Sequence, residues 1–256
     1  MLTQKTTSRK SCEPIRSGNR TPQIVGLFIM GAMLLSGLGC HSSESMGGAS
    51  ATGSDWQPLF DGRSLDQWQS STTDANISLC WHIQDGQLCS VPSSERPEGV
   101  HASLLTKQTF SNFELTFDFK LDAPTPKTDV NSGIKYFVYP NTELGLEYQI
   151  YATLGKVSGP HANADLYDIL PAQGARIKPF DQWNTARIVS NGATCEHWLN
   201  GVRVLTYERG GEAFRAAIAQ SKFKNRDHFG ELPAGHIMLQ DHGGGVCFRN
   251  IRIKQL

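Results

Sequence analysis

Between residues 113 and 121 apolar and polar side chains alternate without a break. Phe113, Leu115, Phe117, Phe119 and Leu121 stand against Glu114, Thr116, Asp118 and Lys120. A period of two is that of a strand with one buried face. Similar stretches follow at 132–139 and 146–151, and in the second of these Glu147 and Gln149 fall on one face with Tyr148 and Ile150 on the other. Asn191-Gly192 and Asn200-Gly201 separate three further strand patterns, at 183–190, 194–199 and 202–207, and both dipeptides favour tight hairpins. Asp85-Gly86 predicts another hairpin, between 81–84 and 87–91. Strand patterns at 236–240 and 246–254 flank three consecutive glycines, Gly243 to Gly245.

Residues 156–178, with Gly159-Pro160, Pro171 and Gly174, read as loop, and residues 212–224 leave the strand rhythm in another way. Phe214, Ala217, Ile218 and Ser221 recur at helical spacing, which predicts one short helix there. Many short strands with turn signals between them and almost no helix describe an all-β fold, a jelly-roll sandwich of two antiparallel sheets. No internal repeat points to a propeller.

The first forty residues follow a different plan. Lys5, Arg9, Lys10, Arg16 and Arg20 precede an apolar run from Ile24 to Leu38, which ends at Gly39-Cys40. A charged segment, a short apolar core and small residues make a secretory leader, and Cys40 after small residues matches a lipoprotein cleavage site except that Gly37 stands where Leu is usual. A non-lipidated export signal or a membrane anchor are the alternatives. Residues 41–55, rich in Ser and Gly, form a flexible tether, and residues 56–256 have the length of one domain. The leader holds five of the 24 basic and one of the 24 acidic residues, so the remainder carries 19 and 23, a net charge of −4. With no basic block, nucleic acid is excluded as a partner, and the membrane enters only through the N-terminal lipid or leader. Export permits disulfides among Cys80, Cys89, Cys195 and Cys247. A Cys80–Cys89 bridge is allowed but not favoured, because the hairpin sets Cys89 opposite His82.

Seven short motifs occur in order: Pro58-Leu59-Phe60-Asp61-Gly62, Ser132-Gly133-Ile134-Lys135-Tyr136, Glu147-Tyr148-Gln149-Ile150, His197-Trp198-Leu199-Asn200-Gly201, Ser221-Lys222-Phe223, Leu239-Gln240-Asp241-His242-Gly243 and Phe248-Arg249-Asn250-Ile251. Together they resemble the family formerly described as domain of unknown function 1080 and now as 3-keto-disaccharide hydrolase. The resemblance implies a concanavalin-like jelly roll in an exported, often lipidated bacterial protein, acting on glycosides oxidised at C3. Many relatives carry an acidic residue after the Glu-Tyr-Gln-Ile strand; this chain has Tyr151-Ala152, which leaves Asp165 as a substitute.

The chemistry of such a substrate defines what a site must hold. A ketone at C3 acidifies the C2 proton, and the C1 oxygen is β to that ketone. Cleavage by elimination and rehydration therefore needs a base near neutral pKa, a cation for the enolate and polar groups for hydroxyls. It does not need the carboxylate pair of ordinary glycosidases. His242 is the candidate base, since an imidazole titrates in the right range. Lys135 is the candidate enolate stabiliser. It shares a face with Glu147 and Gln149 if the strands at 133–139 and 145–151 pair in even register; the same pair also reads as an ordinary surface ion pair. Glu147 is a hydroxyl acceptor or a partner for Lys135. Gln149, Gln240, Asp165 and Arg249 are candidate substrate-binding residues, Arg249 because it shares the face of Ile251 and Ile253 and an inward guanidinium needs a partner. His161, Asp165 and Asp168 leave a divalent metal open, but nothing in the sequence requires a cofactor. The competing reading is a non-catalytic carbohydrate-binding lipoprotein on the same sandwich.

Overall fold

A computed structural model of the chain describes residues 55–72, 76–125 and 129–256. The predicted leader with Cys40, and the tether as far as residue 54, lie outside the described residues. Among those described, the strands are β1 (Gln57–Pro58), β2 (Trp68–Ser70), β3 (Trp81–Gln84), β4 (Gln87–Ser90), β5 (Leu104–Phe110), β6 (Phe113–Leu121) and β7 (Val130–Val138). They continue as β8 (Leu146–Ala152), β9 (Asn184–Asn191), β10 (Thr194–Leu199), β11 (Val202–Glu208), β12 (Gly235–Leu239) and β13 (Val246–Gln255). The helices are a single turn, α1 (Ile77–Cys80), and α2 (Glu212–Ile218).

Two antiparallel sheets form the expected concanavalin-like jelly roll. The larger has the order β11-β10-β9-β6-β13-β4-β3 with β1 beside β13; the smaller has the order β2-β5-β12-β7-β8. The alternation in β6 is realised residue by residue, since its five apolar side chains are buried and its four polar ones half-buried. Opposite them, Ile134 and Tyr136 of β7 and Tyr148 and Ile150 of β8 are fully buried. Phe117 meets Tyr148 edge-on at 5.7 Å, and Phe113 meets Tyr136 at 6.3 Å, so aromatic contacts bind the two sheets across the core.

Local chemistry sets the boundaries. Asp85 and Gly86 both have positive φ, as the predicted two-residue hairpin requires. The helix is shorter than the 212–224 expectation. It stops at Ile218, whose carbonyl takes up the Ser221 hydroxyl, and residues 219 to 229 continue as turns. The Cys80–Cys89 bridge that the hairpin disfavours is not formed: among the described residues the disulfide joins Cys89 to Cys247, neighbours in register on β4 and β13, while Cys80 and Cys195 are free and buried.

Candidate functional site

β7 and β8 pair in the even register. Lys135 stands opposite Glu147, and Gly133 opposite Gln149. With Ile134, Tyr136, Tyr148 and Ile150 facing the core, Lys135, Glu147 and Gln149 must face outward from the smaller sheet. They are nonetheless well covered, Glu147 at 6 % and Gln149 at 2 % exposure, because loops lie over them. The 161–170 loop runs along the open edge of β8, with hydrogen bonds between Ala164 N–H and Gln149 O (2.9 Å), Gln149 N–H and Asp165 O (3.1 Å), and Tyr167 N–H and Glu147 O (3.0 Å).

These elements enclose a polar cavity of about 150 Å³ lined by Lys135, Glu143, Glu147, Tyr167, Lys222, Gln240 and His242, among others. Lys135 Nζ lies 3.8 Å from Glu147 Oε2 and donates to the Glu143 carbonyl at 2.9 Å. Lys222 Nζ sits 4.1 Å over the Tyr167 ring, and its own backbone N–H donates to Asp168 at 2.6 Å. His161 holds the other oxygen of Asp168 at 2.9 Å. Desolvation pushes the Glu147 carboxyl up to about 7, although Lys135 and Lys222 both pull it down. Gly133 makes room for that carboxyl, because a Cβ there would lie 2.7 Å from Glu147 Oε1.

Lys135, Glu147, Gln240 and His242 are thus brought together. Gln149 stands just behind them, donating to Asn131 at 3.4 Å, and Asn131 itself lines the cavity. The Oε1 atoms of Gln149 and Gln240 are both buried without a partner among the described residues. His242 is exposed at the cavity rim. Its neighbour Asp241 is engaged elsewhere, accepting two bonds from Arg96 at 2.6 and 2.8 Å and one from Ala102 N–H. Burial pushes the Asp241 carboxyl up, but Arg96 and the Ala102 and Gly243 amides outweigh it and hold it below the usual carboxylate range.

Two expected residues stand apart. Asp165 is buried, and its oxygens accept from Ala162 N–H and Ala172 N–H, which folds the loop rather than lining the cavity. Arg249 is on the larger sheet, where it donates to Asp118 at 3.2 Å and lies 4.0 Å over the Trp183 ring. The pairing of β13 with β6 shifts register between Arg249 and Arg252, and Asn250 has φ 53°. That bulge reverses the parity, so Arg249 does not share the buried face of Ile251 and Ile253. A larger depression of about 510 Å³ beside it is lined by Asp118, Thr185 and Asn250. Asp118 already accepts from Thr185, Arg249 and Asn250 there.

Lys222, Glu143 and Tyr167 were not anticipated as site residues. Lys222 had a signal, in the Ser221-Lys222-Phe223 motif after the helix. The other two reach the cavity through turns whose direction no local pattern encodes. His197 is core: its Nδ1–H donates to the Ala164 carbonyl and its Nε2 accepts from Tyr136 O–H, each at 2.7 Å. Burial lowers its pKa to about 4, so the ring is neutral.

Comparison with known proteins places this architecture. A curated 3-keto-disaccharide hydrolase of Bacteroides thetaiotaomicron is 30% identical over 232 residues, covering 77% of each chain. Two crystal structures of proposed glycosyl hydrolases from Parabacteroides distasonis share the fold. One has a TM-score of 0.66 at 23% identity, covering 78% of this chain and 94% of its own; the other has 0.60 at 27% identity, covering 78% and 99%. The family model for the 3-keto-alpha-glucoside-1,2-lyase-like domain matches residues 55–254, nearly all of the described sandwich, and the chain belongs to that family.

Proposed function

We propose that this protein cleaves the glycosidic bond of 3-keto-glycosides by elimination followed by hydration. The observation that carries this reading is the convergence of Lys135, Glu147, Lys222, Gln240 and His242 on one polar cavity. The family membership and the curated relative's name support a glycoside-cleaving activity; the reaction course is our reading. A base removes the C2 proton, and the electron pair forms an enolate with the C3 oxygen. The enolate collapses to a C1–C2 double bond as the C1–O bond breaks, and the departing oxygen takes a proton. Water then adds at C1 while a proton returns to C2, giving a free 3-keto sugar and the aglycone alcohol. No redox cofactor enters this balance, and we assign none.

Sequence alone favoured His242 as base; we assign that step to Glu147. A carboxyl held near 7 is poised for proton transfer at neutral pH, and its placement on the cavity floor suits an approach to a ring carbon. Lys135 and Lys222 carry the charge that stabilises the enolate. His242, at the rim, is assigned to the departing oxygen. The unpartnered Oε1 of Gln240, on the cavity wall, suits a donor from a sugar hydroxyl, while Gln149 stands behind it and acts through Asn131.

Incubation of the purified chain with a 3-keto-glucoside, and with the unoxidised glucoside as control, tests the reading. Cleavage of the keto form alone is expected. Binding of either without cleavage would leave a carbohydrate-binding module. Glu147→Gln is expected to lower kcat by about 10²- to 10⁴-fold, and wild-type rates in that variant would return the base to His242. We further propose that the protein works outside the cytoplasm as a lipoprotein anchored at Cys40. The leader and the Cys89–Cys247 disulfide support this reading, and release of a Cys40→Ala variant from the membrane fraction would be its signature.

A further inference from the structure

A second cavity, of about 380 Å³, adjoins the first and is lined by Tyr139, Thr142, Leu144, Asn225, Arg226, Asp227 and Phe229. The two are continuous on both walls. On one side Leu144 lines both cavities. On the other, Phe223 of the first stacks on Phe229 of the second, with ring centroids 4.0 Å apart and planes 8° apart. Tyr139 lies parallel to Phe229 within 18°, at 6.4 Å. Its hydroxyl donates to the His228 carbonyl and accepts from Gly230 N–H, which ties the ring to the 228–230 turn.

The chemistry of the two cavities differs. The first presents two lysines, two carboxyls, two amides and an imidazole. The second offers Leu144, Phe229 and Tyr139 as an apolar wall, with Asn225, Arg226 and Asp227 exposed at its edge. A keto-sugar seated in the first cavity has one group that must leave it, the aglycone.

Resting on the proposed reaction, we infer that the second cavity is the aglycone subsite and that it selects leaving groups bearing a flat apolar ring. Apolar and aromatic walls recognise such a ring by burying its surface, whereas a small or fully hydroxylated aglycone gains little there. Asn225, Arg226 and Asp227 leave the rim open to polar substituents on the ring.

The test compares benzyl and methyl 3-keto-glucosides of one anomeric configuration. The two alcohols are nearly equal in acidity, so bond cleavage itself does not separate them. Wild-type kcat/KM is expected to favour benzyl by about tenfold or more, the scale of burying part of an aromatic ring. Asn225→Trp, at an exposed position where the fold tolerates bulk, should fill the subsite and remove most of that preference; Leu144→Ser should weaken it. Equal kcat/KM for the two substrates in the wild type, or a preference untouched by both substitutions, overturns the subsite while the reaction stands. Failure to cleave either glycoside overturns the reaction and the subsite with it.

Discussion

Glu147 is the residue at which fold and chemistry oppose each other. Its carboxyl is raised from 4.5 to about 7 by desolvation, so the folded protein binds this proton more tightly than the unfolded chain does. Stability contributed by the protonated form is therefore present in full below the ordinary value and is lost as pH rises from about 4.5 to about 7. Over that interval the loss amounts to about 3 kcal/mol. Two outcomes follow from one ionisation. The kcat/KM profile should climb through about pH 7 as Glu147 becomes the free base, while thermal stability declines over the same range. Glu147→Gln abolishes the charge, so its Tm gain over wild type should be larger at pH 8 than at pH 5; an equal gain at both would place the ionisation elsewhere.

At the scale of the element, the β7–β8 hairpin holds the cavity because its register is even and because Gly133 leaves space for the neighbouring carboxyl. Gly133→Ala would set a Cβ 2.7 Å from Glu147 Oε1. The expected cost is about 1–3 kcal/mol of stability, read by denaturant titration, with a loss of turnover out of proportion to it. This hairpin was legible in the sequence, since alternation at 132–139 and 146–151 fixes which side chains share a face. Alternation misplaces Arg249, because the bulge at Asn250 breaks the period of two with a residue that only the partner strand makes visible. The helix was recognised but its end was not. Beyond the last helical turn Ala219-Gln220-Ser221-Lys222-Phe223 contains no Gly or Pro, and what stops the helix is a side-chain bond from Ser221 and a distant carboxylate, Asp168, receiving the Lys222 amide. Lys222 reaches the cavity because of that stop.

At the scale of the molecule, the sandwich is closed by contacts between residues far apart in sequence, and no local pattern could pair them. Cys89 and Cys247 are 158 residues apart yet lie side by side in register. Cross-linking so long a loop restricts the unfolded chain by about 5 kcal/mol in the chain-entropy description, so Cys247→Ser should lower the denaturation midpoint markedly, and reductant should do the same to the wild type but not to the variant. The smaller sheet has a different exposure to risk. Its last strand, β8, would present a bare row of amides and carbonyls, were it not for the 161–170 loop bonded along that row. Unpaired edges recruit other chains. The loop is consequently a guard against self-association as well as a wall of the cavity, and it cannot be freely redrawn. Shortening or loosening it to admit a bulkier sugar would uncover the strand that carries Glu147, and the first symptom would be precipitation, not altered specificity.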